Sequence, residues 1–200
     1  YPLPRTDGRH TGEPNRLWIN DGKGRFADEG PARGVADFGW TLSAAFGDYD
    51  GDGRPDLAVA NEFEPVRLYR NEGARFVEVK GLPETVCGGG VTWFDKDGDG
   101  KLDLYVAGRS AGWVLLNRGR FEAAPLDAGF SWCGQPVGDG FYVTNGFVTG
   151  ITEIDFGATH RPIINRIQIP LQPNPLLSLT HTILSVCLSV CQELFLKIPF

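Results

Sequence analysis

Apolar residues in the first 129 positions come in short runs, each broken by Gly, Asn or Asp. The runs repeat. Leu17-Trp-Ile-Asn-Asp-Gly-Lys-Gly-Arg-Phe26 returns as Leu68-Tyr-Arg-Asn-Glu-Gly-Ala-Arg-Phe76 and again as Leu115-Leu-Asn-Arg-Gly-Arg-Phe121. Asn and Gly tolerate the positive φ of tight hairpins, so each copy predicts strand, turn, strand. Further strands are predicted at Thr41–Phe46 and Leu57–Ala60, then at Val91–Phe94 and Leu104–Ala107. The short runs and frequent Gly exclude a helical repeat.

The hairpins and single strands share one phase. Thr41–Phe46, Leu57–Ala60 and the hairpin Arg67–Val79 make one period, and Val91–Phe94, Leu104–Ala107 and Trp113–Phe121 make the next. Four strands in roughly 40 to 50 residues is the size of a β-propeller blade. The expected fold is therefore all-β, a partial β-propeller of about two and a half four-stranded blades, with Arg16–Glu29 as the second half of an earlier blade. Trp18, Trp40, Trp93 and Trp113 are expected between adjacent blades. A ring needs about 4 to 8 blades, so the open edges are expected to be met by missing blades or by self-association. The chain starts at Tyr1 and has no Met, which reads as a fragment or a processed chain.

Between the first and second strands of each period lies an acidic loop. Asp48, Asp50, Asp52 and Asp56 recur 47 residues later as Asp95, Asp97, Asp99 and Asp103. Four carboxylates so close together repel one another unless a cation lies among them, and hard divalent ions prefer carboxylate oxygens. The pattern Asp-x-Asp-x-Asp-Gly-x-x-Asp supplies side-chain ligands at positions 1, 3, 5 and 9 and a backbone carbonyl at position 7. Position 7 is Arg54 or Lys101, whose side chain must point away while its carbonyl turns inward. Gly53 and Gly100 occupy position 6, the sharp turn. An EF-hand would need Glu at position 12, where Val59 and Val106 stand, and the segments leaving both loops read as strands. Two structural Ca2+ ions are expected, in preference to Mg2+, which keeps more water.

Charge changes the picture in two places. The formal net charge is -6, which opposes a nucleic-acid partner. Eight of the 25 acidic residues lie in the two loops, so the acidity is directed at metal, and two Ca2+ ions would leave about -2. Residues 1–129 carry 37 charged side chains and residues 130–200 carry seven. That shift divides the chain into a repeat region, 15–129, and a divergent segment, 130–200. Asp127-Ala-Gly-Phe130 echoes Asp37-Phe-Gly-Trp40 as a third blade would, but the acidic loop due near residue 142 is missing. A hairpin about Asn145-Gly146 is expected instead, followed by a hydrophobic tail that is non-native or covers the open edge. The uncharged stretch Leu176–Gln192 is shorter than the roughly 20 residues of a membrane helix, and a membrane anchor is not expected. Four cysteines are too few for a disulfide framework, and Cys87 and Cys133 could pair or stay reduced. His10, His160 and His181 form no catalytic pattern, so no catalytic residue is assigned and the chain is not expected to be an enzyme.

The loops and hairpins resemble the FG-GAP/VCBS-type repeats of integrin-α-like β-propellers. Phe46-Gly47 matches the FG element, although Val59-Ala-Asn61 and Val106-Ala-Gly108 replace Gly-Ala-Pro. Asn15-Arg-Leu-Trp18 and Val66-Arg-Leu-Tyr69 are most similar to the cartilage acidic protein branch and its bacterial relatives. The resemblance covers residues 15–127, and no EGF-like module accompanies it. It implies a secreted, extracellular protein whose propeller binds calcium structurally and presents loops to a protein or matrix-glycan partner. Two alternatives stay open: the propeller part of a secreted hydrolase or lyase, and a truncated product with no function of its own.

Overall fold

The computed structural model describes residues 13–62, 64–85, 89–108, 112–126, 131–137, 140–145, 150–155 and 163–168. All three histidines, Cys87, Cys187, Cys191 and the stretch Leu176–Gln192 lie outside them. The described residues all belong to one compact unit within residues 1–168.

The described residues are almost wholly β. They form β1 (Trp18–Asn20), β2 (Phe26–Asp28), β3 (Thr41–Gly47), β4 (Asp56–Asn61), β5 (Arg67–Asn71), β6 (Phe76–Glu78) and β7 (Val91–Phe94). After these come β8 (Asp103–Val106), β9 (Gly112–Asn117), β10 (Phe121–Leu126), β11 (Ser131–Val137), β12 (Gly140–Asn145), β13 (Gly150–Asp155) and β14 (Ile163–Gln168). One short helix, α1 (Gly30–Arg33), has Pro31 in its first turn and Gly34 at its C-terminal cap. The strands pair antiparallel in chain order as β1-β2, β3-β4-β5-β6, β7-β8-β9-β10 and β11-β12-β13-β14. The leading strand of each four-stranded sheet lies against the leading strand of the next, β3 by β7 and β7 by β11. Successive four-stranded meanders touching through their first strands form part of a β-propeller.

Hydrophobic alternation explains why the sheets stack. β4 is buried on both faces. Its Leu57 and Val59 join Val35, Tyr69 and Phe76 in one core, while Ala58 and Ala60 face Val91, Leu104, Val106 and Leu115 in the next. The pattern moves on by one sheet at β8: Leu104 and Val106 look back, and Tyr105 joins Phe94, Val114, Phe141 and Val143 in a third core. Each middle strand thus supplies alternate residues to two seams. Each large side chain so buried contributes about 1.5–3 kcal/mol.

Two features differ from a plain reading of the repeat. Trp93 and Trp113 pack against the central seam, but Trp18 is 54% exposed. Its sheet has only the strands β1 and β2 among the described residues, so nothing there covers the ring. Phe26, Phe38, Leu42 and Phe46 are also more than 40% exposed, on β2, on β3 and just before β3. The second difference is in the divergent segment, where the hairpin expected about Asn145-Gly146 is flanked by β12 and β13 inside a full four-stranded sheet. Position 142 lies within β12, and Val137 pairs with Gly140 across the β11–β12 connection, leaving only residues 138 and 139 where an acidic loop would fall.

Candidate metal centre

Both acidic loops span the first and second strands of a sheet in equivalent register. Gly47 pairs with Asp56 at one and Phe94 with Asp103 at the other. Within each loop the first Asp folds the chain around its own carboxylate. Asp48 accepts backbone N–H bonds from Gly51 (2.9 Å), Asp52 (3.1 Å) and Gly53 (2.8 Å). Asp95 accepts the same three from Gly98 (2.8 Å), Asp99 (3.2 Å) and Gly100 (2.9 Å). Both turns need left-handed backbone at position 6, where Gly53 and Gly100 each have φ of 84°.

The last Asp of each loop is buried at its base, Asp56 at 0% and Asp103 at 2% exposure. Asp56 takes N–H bonds from Tyr49 (3.1 Å) and Asn71 (2.7 Å). Asp103 takes them from Lys96 (2.9 Å) and Asn117 (2.7 Å). Each carboxylate therefore ties its loop to the third strand of its own sheet. Burial raises both carboxyl groups above their ordinary range, and these N–H bonds only partly offset it. Neighbouring loop carboxylates add to the rise, Asp50 and Asp52 at the first site and Asp97 and Asp99 at the second.

Oxygens of Asp48, Asp50 and Asp56 lie within 4.8 Å of one another, as do those of Asp95, Asp97 and Asp99. The two trios differ by one position. At the first loop Asp52 lies outside the trio and pairs with the Arg54 guanidinium, whose Nε also donates to the Asn71 carbonyl at 2.8 Å. At the second, Lys101 Nζ approaches Asp99 to 3.5 Å, and Asp103 stays outside the trio. Carboxylates this close repel by about 1 kcal/mol per pair in water-like surroundings and about 3–4 kcal/mol at an effective dielectric of about 20. Among the described residues Asp97 Oδ1 is buried with no hydrogen-bond partner, while its Oδ2 lies 3.8 Å from the Arg118 guanidinium. An orphaned, buried carboxylate oxygen among converging acids suits a hard cation, so the residues fit calcium.

Asn71 and Asn117 hold a role that the sequence reading gave only to turns. Beyond its backbone N–H, each donates its side-chain amide to the residue preceding the last Asp: Asn71 to Pro55 O at 3.0 Å, and Asn117 to Leu102 O at 3.3 Å. The signal was present as the Asn recurring in every hairpin.

A second polar cluster lies at the opposite end of β4. Asp37 is 6% exposed and binds Asn61 Nδ2 at 2.6 Å, Gly39 N at 3.0 Å and Arg67 Nη1 at 3.0 Å. Its charge is fully partnered, which marks a structural brace rather than a reactive group.

Stacked four-stranded sheets with a repeated acidic loop between their first two strands define a propeller-type repeat protein. Residues 6–59 and 48–106 each match the FG-GAP-like repeat. The two overlapping matches span just over half of the chain, which belongs to the FG-GAP-like repeat family. No curated protein matches it.

Proposed function

We propose that the chain is a calcium-binding propeller module of an extracellular protein, in which calcium is structural and the blades present loops to a partner. The observation that carries this reading is the orphaned Asp97 Oδ1 within a converging trio of carboxylates, in a loop whose fold is repeated at Asp48. Asp48, Asp50 and Asp56 would hold one ion, and Asp95, Asp97 and Asp99 the other. The ion cancels carboxylate repulsion and fixes the connection between the first two strands of a sheet. Loops of this type work at about millimolar calcium in extracellular modules, which supports a secreted location. The likeness of Asn15-Arg-Leu-Trp18 to cartilage acidic protein supports a matrix or adhesion role, with a protein or glycan partner and no catalytic step.

Calorimetry tests it. Calcium at about a hundred times its Kd adds about 2.7 kcal/mol per occupied site. At about 2–4 °C per kcal/mol for a unit of this size, each site raises Tm by about 5–10 °C. The same midpoint in calcium and in chelator would refute the proposal.

A further inference from the structure

Asn117 stands between the two acidic loops and binds both. Its backbone N–H donates to Asp103 at 2.7 Å, and its side-chain amide donates to Leu102 O at 3.3 Å, both in the second loop or at its exit. The same amide donates to Tyr49 O of the first loop at 2.7 Å, across 68 residues of sequence. Tyr49 N in turn donates to Asp56 at 3.1 Å. Three hydrogen bonds therefore join the two buried carboxylates, in the order Asp56, Tyr49, Asn117, Asp103. Tyr49 lies between Asp48 and Asp50, two of the three converging acids of its loop. Its ring is stacked on Trp93 at 6.2 Å and 7° and packs against Phe121 at 5.5 Å, so its peptide has little freedom. The loops face each other across a cleft of about 260 Å³ walled by Asp48, Tyr49, Asp50, Lys101 and Asn117.

We propose that Asn117 couples the two loops, so that a cation held in one raises the affinity of the other. The inference rests on the calcium reading above and adds that the sites are not independent. A cation fixing the second loop fixes Leu102, and with it the Asn117 amide. That amide then holds the Tyr49 peptide with Asp48 and Asp50 already in place, so the first loop has less order to gain when it binds. Ordering shared by two sites is needed once, and the effect is reciprocal. Asn71, at the same position one repeat earlier, donates its amide to Pro55 O of its own sheet and serves as the internal control.

The test is calcium titration of the full chain by calorimetry, with Asp97→Ala disabling the second loop. The first loop should bind calcium at least about 5-fold more weakly in Asp97→Ala than in the native chain, the lower end of ordinary coupling. Asn117→Ala and the near-isosteric Asn117→Leu should each bring that ratio close to one while both loops still bind. Asn71→Ala should leave it unchanged. Both Asn117 variants keep the backbone N–H to Asp103, and near-UV dichroism of Trp93 follows their fold. A ratio near one in the native chain, or a ratio that survives loss of the Asn117 amide, overturns the proposal. Should neither Asn117 variant fold, the native ratio alone decides. No calcium binding by the native chain overturns the metal reading itself, whereas two sites of independent affinity overturn only the coupling.

Discussion

Replacing Gly47 by Ala should loosen the seam between the two loop-bearing sheets. Gly47 ends β3, and the Trp93 ring lies directly on it. A Cβ at this position would stand 2.6 Å from Trp93 Cδ1 and 2.7 Å from Cγ. The indole must therefore withdraw to reach ordinary contact. Withdrawal strains the bond from Trp93 Nε1 to Ala45 O, now 3.1 Å, which contributes about 0.5–1.5 kcal/mol. It also separates Trp93 from Tyr49, a stacked pair of the kind that adds about 0.5–1.5 kcal/mol. With the overpacking cost of about 1–3 kcal/mol, and allowing for partial relaxation, Gly47→Ala should destabilise by about 2–4 kcal/mol. Urea denaturation in saturating calcium measures it, with near-UV dichroism reporting the indole. Trp93→Ala supplies the cross-check. With the ring gone, Gly47→Ala should cost nothing or stabilise slightly, since Ala suits a strand better than Gly by roughly 0.5–1 kcal/mol. A cost below about 0.5 kcal/mol in the native background, or an equal cost with and without the ring, would refute the close-approach argument.

Other perturbations address separate parts of the structure. Gly53→Ala and Gly100→Ala meet no neighbour, yet at φ of 84° each should cost about 1–2 kcal/mol through backbone strain alone; an unchanged denaturation midpoint would contradict the loop conformation. Arg67→Ala strips the guanidinium from buried Asp37 and should destabilise by about 2–4 kcal/mol at neutral pH, read from urea denaturation; an unchanged midpoint would refute the brace. The raised Asp103 carboxyl gives the metal-free chain a stability term that is fully present below the ordinary carboxylate range and lost as pH rises through the raised value. Asp103→Asn in chelator should therefore flatten the fall in stability between those two pH values, and parallel pH profiles for the two proteins would refute that assignment.

Much of the fold was legible in the residues themselves. Turn chemistry is local: Asn followed by Gly favours the positive φ of a hairpin, and Gly73 and Gly119 adopt it. Strand positions were legible for a similar reason, because β-branched and aromatic runs bounded by Gly and Asp permit little else. The acidic loops were legible because carboxylates at that spacing, with Gly at position 6, leave the chain few ways to turn. That much was determined by the sequence alone.

Tertiary structure decided what depends on residues far apart in the chain. Strand pairing buries Asp56 and Asp103 at the bases of their loops and brings Asn71 and Asn117 onto them. The need for Gly at position 47 became visible only with Trp93 in place above it. The four-stranded sheet beyond residue 130 shows that a blade does not require its acidic loop, since the strands pair through their backbones whatever joins them. Asn117 is the plainest case. In sequence it is one turn residue among three, and only the packing of one sheet on the next brings its amide to the loop that holds Tyr49.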